Sequence, residues 1–320
     1  MKRIGLLTSG GDCPGMNACI RSVVRTAIYK GLEVYGIFKG YQGLIEGQVK
    51  ALDRRSVSNI LTHGGTMLKT ARSPEFKTAA GQNKAKRVIE QNGLEGLVVI
   101  GGDGSFRGAH RLWQRWKFPV IGVPATIDND INGTDATIGA DTAVDTALYA
   151  IDKIRDTVTS LERIFVIEVM GRGSGYIALE VGLAGGAEDI IIPERRYNID
   201  KMCADIRTGH KKGKISWIIV VAEGAASAAD VAAKITRKTH LETRVSVLGH
   251  IQRGGSPSAD DRILATHLGA EAVKCLIRGE RDKMVGMVNN RVKTVDLSYA
   301  VKKKKINTEV LYRLIRILAL

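Results

Sequence analysis

At 320 residues the chain is longer than one average domain and can bury a sizeable core, so one large or two medium domains are expected. Aromatic residues make up only 5% and glycines number 36, a mixture that suits an α/β protein with aliphatic strands and loops that approach a ligand closely. Lys plus Arg number 48 against 33 Asp plus Glu, a net +15 spread along the chain without a zinc finger or an aromatic-interleaved basic motif, which points to phosphorylated metabolites and away from nucleic acid.

In chain order, "RIGLL", "EVYGIF", "LVVIGG", "PVIGVP", "RIFVIEV", "DIIIP", "WIIVVAEG" and "RVSVLG" read as strands. Segments with helical apolar spacing lie between most of them, and "DTAVDTALYAIDKIRDT" and "DDRILATHLGAEAVKCLI" are the clearest. Repeated strand and helix imply βαβ units, hence mainly parallel sheets covered by helices, and the lack of a low-complexity linker implies two closely packed lobes. The only dense basic run is "VKKKK" at 301–305, and it reads as solvated. The cysteines Cys13, Cys19, Cys203 and Cys275 form no CxxC pair, so neither a disulfide framework nor a zinc site is expected. No run of about 18 apolar residues and no signal-peptide pattern occurs, which suits a cytoplasmic protein without a membrane partner.

In such folds ligands collect where strands end and glycine-rich turns lead into helices. The first such turn, "TSGGDCPGMN" at 8–17, carries Gly10 and Gly11 ahead of a helix start marked by Pro14; its amides could face a phosphate, or the turn could be purely structural. Arg21 and Arg25 stand four apart on the following helix, either both solvated or with an anion between them. In "GGDGS" at 101–105, Asp103 reads either as a Mg²⁺ carboxylate beside phosphate-binding amides or as a helix cap. "PATIDNDINGTD" at 124–135 sets Asp128, Asp130 and Asp135 among small, turn-forming residues. "GHKKGKI" at 209–215 resembles a P-loop, but only three residues separate Gly209 from Gly213, and Ile215 stands where Ser or Thr should hold magnesium. "GRGSG" at 171–175 lacks the dinucleotide spacing, and neither the protein-kinase motifs nor a GxSxG elbow is present. A glycine turn, a candidate metal aspartate, an aspartate-rich loop and the loop arginines Arg72, Arg163, Arg172, Arg244 and Arg253 together suit phosphoryl transfer between two phosphorylated ligands.

The ordered series "LTSGGDCPGMNA", "GGT" with "TARSPEF", "GGDGS", "TIDND", "KIRDT", "EVMGR", "AEG" and "LGHIQRGGSP" resembles the bacterial ATP-dependent 6-phosphofructokinases over nearly the whole chain. The resemblance implies two Rossmann-like α/β/α domains with mainly parallel sheets and the active site in the cleft between them: an ATP-binding domain of 1–139 plus 252–302, and a fructose 6-phosphate-binding domain of 140–251 plus 303–320. It implies transfer of the γ-phosphoryl of MgATP to the 1-hydroxyl of fructose 6-phosphate. Asp128 would be the base, supported by Thr126, Asp130 and Arg172, while Asp103 would carry magnesium. Gly11, Arg72, Ser73, Gly102, Asp103, Gly104 and Ser105 would line ATP, with Arg72 between the substrates. Thr126, Ile127, Asp128, Met170, Gly171, Arg172, Glu223, His250, Ile251, Gln252 and Arg253 would hold the sugar phosphate, with Arg163 and Arg244 reaching in from a neighbouring subunit.

The same resemblance implies a homotetramer whose effector sites take ADP or phosphoenolpyruvate at Arg21, Arg25, Arg54, Arg155, Gly186, Ala187, Glu188, Lys212 and Lys214. Several positions depart from the family pattern. Ala125 replaces a usual glycine, Leu161 a histidine and Tyr176 an aspartate; Ile215 stands where a basic residue is common, and Arg55 where an aromatic is. The tail "VLYRLIRILAL" and the +15 charge are unusual for the family as well. Pyrophosphate-dependent relatives usually carry Asp in place of Gly104 and Lys in place of Ala125, so small residues at both positions favour ATP. An NAD or lipid kinase could share the GGDG turn but not "MGR", "AEG" and "HIQR". A non-catalytic regulatory subunit would be expected to lack Asp103 or Asp128.

Overall fold

The computed structural model describes residues 1–161, 163–214, 216–304 and 306–319, and the backbone only of 159–161. Ile215 and the side chain of Leu161 therefore lie outside the described residues. In chain order the elements are β1 (Arg3–Ser9), α1 (Met16–Tyr29), β2 (Glu33–Ile37), α2 (Gly40–Glu46), β3 (Val49–Leu52), α3 (Ala79–Gln91), β4 (Gly96–Gly101), α4 (Asp103–Trp116), β5 (Val120–Pro124) and α5 (Ala140–Leu161). There follow β6 (Ile164–Val169), α6 (Tyr176–Ala184), β7 (Asp189–Ile191), α7 (Ile199–Lys211), β8 (Trp217–Ala222), α8 (Ala228–Thr239) and β9 (Thr243–Val247). The chain ends with α9 (Ala259–Ile277), β10 (Lys283–Val288), β11 (Arg291–Asp296), α10 (Leu297–Ala300) and α11 (Thr308–Leu318).

Two compact units result, Met1–Thr142 with Arg253–Lys304, and Ala143–Gln252 with Lys305–Leu320. The first holds a seven-stranded sheet in the order β11-β10-β5-β4-β1-β2-β3, the second a four-stranded sheet in the order β7-β8-β6-β9. Strands of the second sheet all pair in parallel, as do the inner strands of the first. β4 and β8 are buried along their whole length, which is why both read as unbroken apolar runs.

Three strands were not legible as strands: β3, β10 and β11, which form the antiparallel margins of the first sheet. β3 is a four-residue, half-exposed edge, too short to show a strand pattern. β10 and β11 form a hairpin whose central Asn289 and Asn290 both adopt positive φ, 51° and 57°, as a type I′ turn requires. The near-P-loop "GHKKGK" is the end of α7. There the Lys214 amide donates to the Gly209 carbonyl and the Gly213 amide to His210, with Gly213 at φ 87°, a Schellman cap.

Candidate active site

The ends of β1, β4 and β5 in the first unit open on one cavity of about 660 Å³. It brings together Gly11, Arg72, Ser73, Gly102, Asp103, Gly104, Ser105, Thr126, Asp128, Asp130 and Arg253. Gly101 lies so close to neighbouring groups that a Cβ there would sit 2.4 Å from the Ser9 carbonyl and 2.6 Å from Ser105 Oγ. Among the described residues the buried Ser105 hydroxyl has no hydrogen-bond partner, so an acceptor supplied by a ligand would satisfy it. Beside it, the Arg253 guanidinium donates to the Asp12 carbonyl at 3.1 Å and occupies the space a side chain at Gly11 would need.

Asp103 is the first residue of α4, where a carboxylate is favoured by the helix dipole. Its Oδ1 accepts from the Gly104 amide at 2.6 Å and its Oδ2 pairs with Arg107 at 2.9 Å; the cap position of α4 is Gly102, so the cap reading of Asp103 does not hold and its carboxylate is exposed. A Cβ on Gly104 would meet nothing within 4 Å, which leaves room beside the cavity. Among the described residues no cluster of three or more His, Cys, Asp or Glu is placed to hold a metal, so protein carboxylates alone do not form a cage.

The aspartate loop hangs from β5. The Ala125 amide donates to the Gly101 carbonyl, and Ala125 pairs with Ile138 in an isolated parallel bridge. Ala125 is not among the residues with positive φ, so alanine is accommodated where a glycine is usual. Asp128 and Asp130 are half-buried and line the cavity, whereas Ile127 is fully buried and is not part of the lining. Burial raises the pKa of Asp130, and the nearby Asp103 adds to the rise. Asp135 turns away and accepts from the Asn289 amide at 2.7 Å, capping the hairpin turn.

Tyr41, Phe76, Lys77, Arg107, Gly108 and Arg111 also line the cavity and were not singled out from the sequence. Tyr41 and Phe76 stack with ring centroids 4.1 Å apart, and the Tyr41 hydroxyl donates to the Ser105 carbonyl at 2.6 Å, bracing the GGDGS turn. Arg107 and Arg111 follow Asp103 at helical spacing, a signal the sequence did carry; the Tyr41–Phe76 stack has no local signature.

The second unit holds the other expected sugar-phosphate residues and part of the expected effector set. Met170 donates its amide to Gln252 Oε1 at 2.8 Å, and the Gly224 amide donates to the Gly171 carbonyl at 3.1 Å, so "MGR", "AEG" and "HIQR" meet at the ends of β6 and β8. Arg172, Glu223 and His250 are exposed there. Ile251 is 58% exposed. Arg163 and Arg244 both pair with Glu242. Of the expected effector residues, Arg155 donates to the Gly185 and Gly186 carbonyls, and Ala187 is buried beside them. Lys214 pairs with Glu188 at 3.4 Å, lies over the Trp217 ring and donates to the Ala319 carbonyl at 2.9 Å. Lys212 caps α7. Arg21 and Arg25 lie along α1 of the first unit, and Arg54 and Arg55 in the turn after β3. The unusual tail forms α11, with Ile315 buried and Val310, Leu314, Ile317 and Leu318 exposed.

All four cysteines are free and buried, and among the described residues no helix is long and apolar enough to cross a membrane. A glycine-lined cavity at the ends of parallel strands, lined as well by aspartates and arginines, defines an enzyme of phosphoryl transfer. Residues 3–276 match the family profile described as Phosphofructokinase, and the chain belongs to that family. The chain is 57% identical over 314 residues to an ATP-dependent 6-phosphofructokinase of Bacillus pumilus and 56% to that of Bacillus subtilis, in each case covering 98% of both chains. It is 53% identical to that of Halothermothrix orenii over the full length of both. Among solved structures it is similar to phosphofructokinase from Saccharomyces cerevisiae, with TM-score 0.87 and 36% identity, all of this chain matching 47% of the yeast chain. A pyrophosphate-dependent phosphofructokinase from Marinobacter aquaeolei, at 24% identity and TM-score 0.83, shares the fold.

Proposed function

We infer that the chain is an ATP-dependent 6-phosphofructokinase, which transfers the γ-phosphoryl group of ATP to the 1-hydroxyl of fructose 6-phosphate and yields fructose 1,6-bisphosphate and ADP. The observation that carries this reading is the meeting of the GGDGS and TIDND turns on one cavity with Arg72 and the first glycine turn. In this reading Asp128 accepts the proton of the attacking hydroxyl, which leaves its oxygen free to bond to phosphorus as the bond to the leaving ADP oxygen breaks. Asp130 and Thr126 hold the geometry of that turn, and Arg72 and Arg172 stabilise charge on the moving group. Gly11, Ser73 and Gly102 to Ser105 hold the nucleotide phosphates, with the lone Ser105 hydroxyl as one donor. Magnesium bound at Asp103 together with phosphate oxygens would neutralise the polyphosphate charge. Met170, Gly171, Arg172, Glu223, His250 and Arg253 receive the sugar phosphate, with Arg163 and Arg244 supplied by a neighbouring copy in a homotetramer.

ADP and phosphoenolpyruvate are the proposed effectors, at Arg155, Glu188, Lys212 and Lys214 with Arg21, Arg25 and Arg54, and the cytoplasm is the proposed location. The open space at Gly104 and the small Ala125 favour ATP over pyrophosphate as donor. Initial rates with fructose 6-phosphate and each donor test the reading: turnover with ATP and little with pyrophosphate is expected, and the reverse overturns it. Velocity curves with added ADP or phosphoenolpyruvate, and the mass of the enzyme in solution, test the effector and tetramer proposals.

A further inference from the structure

The lysine run at 301–305 reads from sequence as a solvated patch, yet its described part is a strap across the aspartate loop. Asn132 Nδ2 donates to the Lys302 carbonyl at 2.5 Å, and Lys303 pairs with Ile131 in an antiparallel bridge. Lys304 then turns its ammonium inward, donating to the Asn129 carbonyl at 3.1 Å and to the Thr134 carbonyl at 2.9 Å. Asn129 is the residue between Asp128 and Asp130, and Thr134 stands on the returning limb, so one side chain ties both limbs of the loop together.

The rest of the loop explains why that tie matters. Its base is held by Thr126 and Ile138, whose amides bond across it, and its returning limb is held to β10 through Asp135 and Met287. The apex has less support. Asn129 adopts the left-handed region at φ 46°, less favourable than ordinary backbone even for Asn, and among the described residues its buried side-chain oxygen has no partner. Its other main-chain-directed restraint is Asn129 Nδ2 on the Asp135 carbonyl at 3.0 Å. An ammonium that donates to two carbonyls in a half-buried setting is a strong local restraint, because charge-assisted hydrogen bonds gain strength away from water.

We propose that Lys304 is a positioning residue for phosphoryl transfer, holding the turn that carries Asp128 and Asp130 in its reactive conformation. This inference rests on the reading of the chain as a phosphofructokinase. Lys304 acts through the loop backbone and not by touching the moving phosphoryl group. The charges facing it are Asp130 and Asp135, and Asp130 in turn faces Asp103. The lysine's positive charge favours the ionised form of Asp130 and opposes the upward push of burial and of Asp103.

The test compares Lys304→Met and Lys304→Arg with the wild type and with a Lys302→Ala, Lys303→Ala control, whose altered side chains are exposed. Lys304→Met is expected to lower kcat about tenfold while the KM for ATP stays within about twofold, because the loop loses its hold and the nucleotide turns do not. Lys304→Arg recovers most of kcat, and the control matches wild type. Wild-type kcat in a folded Lys304→Met enzyme would overturn the proposal. So would equal loss in the arginine variant and the methionine variant, or a KM for ATP that rises as much as kcat falls, the marks of a packing defect. A wild-type enzyme with no ATP-dependent turnover overturns the functional reading itself, and the positioning role with it.

Discussion

Arg163 and Arg244, one just before β6 and the other on the neighbouring β9, hold the same carboxylate: Arg163 Nε lies 2.8 Å from Glu242 Oε2, and Arg244 reaches the other oxygen. A shared counter-charge keeps the half-buried Arg163 and the exposed Arg244 side by side and limits their repulsion. A sugar phosphate that engages both must compete with Glu242. Arg163→Ala or Arg244→Ala is therefore expected to raise the half-saturating fructose 6-phosphate concentration about tenfold, with kcat nearly unchanged. The double variant should lose less than the product of the single effects, because each single variant already leaves Glu242 to the remaining arginine. Saturation curves of the three variants check this; additive losses would mean that the two arginines act independently.

Asp128→Asn should keep the shape of the turn, whose amide donates to Thr126 Oγ1 at 3.3 Å, and lose the proton acceptor. A loss of about a thousandfold in kcat is expected, with fructose 6-phosphate binding retained within a few fold. Single-turnover rates and direct binding separate the two quantities, and near-normal turnover would remove Asp128 from the role of base.

Much of this site was legible in the sequence because its chemistry sits in short turns directly after buried strands. Asp103 follows the unbroken apolar run of β4, and Asp128 follows that of β5. What was hidden depended on contacts between distant segments. Lys304 lies 175 residues from the Asn129 carbonyl it holds, and a lysine within a lysine run carries no mark of being half-buried. Tyr41 reaches the Ser105 carbonyl from 64 residues away, through a stack with Phe76 that neither local sequence announces. The hairpin of β10 and β11 could have been read from its Asn-Asn turn. β3 could not, since a four-residue edge strand is too short for its apolar pattern to show.

Gly104→Asp tests donor choice at the point where the cavity wall is most open. An added Cβ meets nothing within 4 Å, so the change is expected to leave folding intact while setting a second carboxylate beside Asp103. Repulsion between that charge and the nucleotide phosphates should raise the KM for ATP about tenfold or more. Thermal unfolding and ATP saturation measured on the same preparation check both halves; an unchanged KM would mean that this wall does not face the phosphates.

The second unit carries a carboxyl group whose ionisation opposes folding. Asp189 on β7 is pushed from the usual 3.8 up to about 6, chiefly by burial, with Arg316 of α11 and Lys201 pulling the other way and Asp205 adding to the rise. A folded state that binds this proton more tightly than the unfolded chain is most favoured at low pH. Its contribution falls as pH rises from about 4 through about 6 and is constant above that, a change of about 3 kcal/mol at most. Asp189→Asn mimics the neutral form, so urea midpoints of the variant should vary less than those of wild type between about pH 4 and 6 and lie higher at pH 8. Arg316→Met should act in the opposite sense, because it removes the cation that offsets burial and also the 3.3 Å pair with Asp205 that anchors α11. Parallel pH profiles for wild type and Asp189→Asn would show that Asp189 ionises as easily in the folded chain as in the unfolded one.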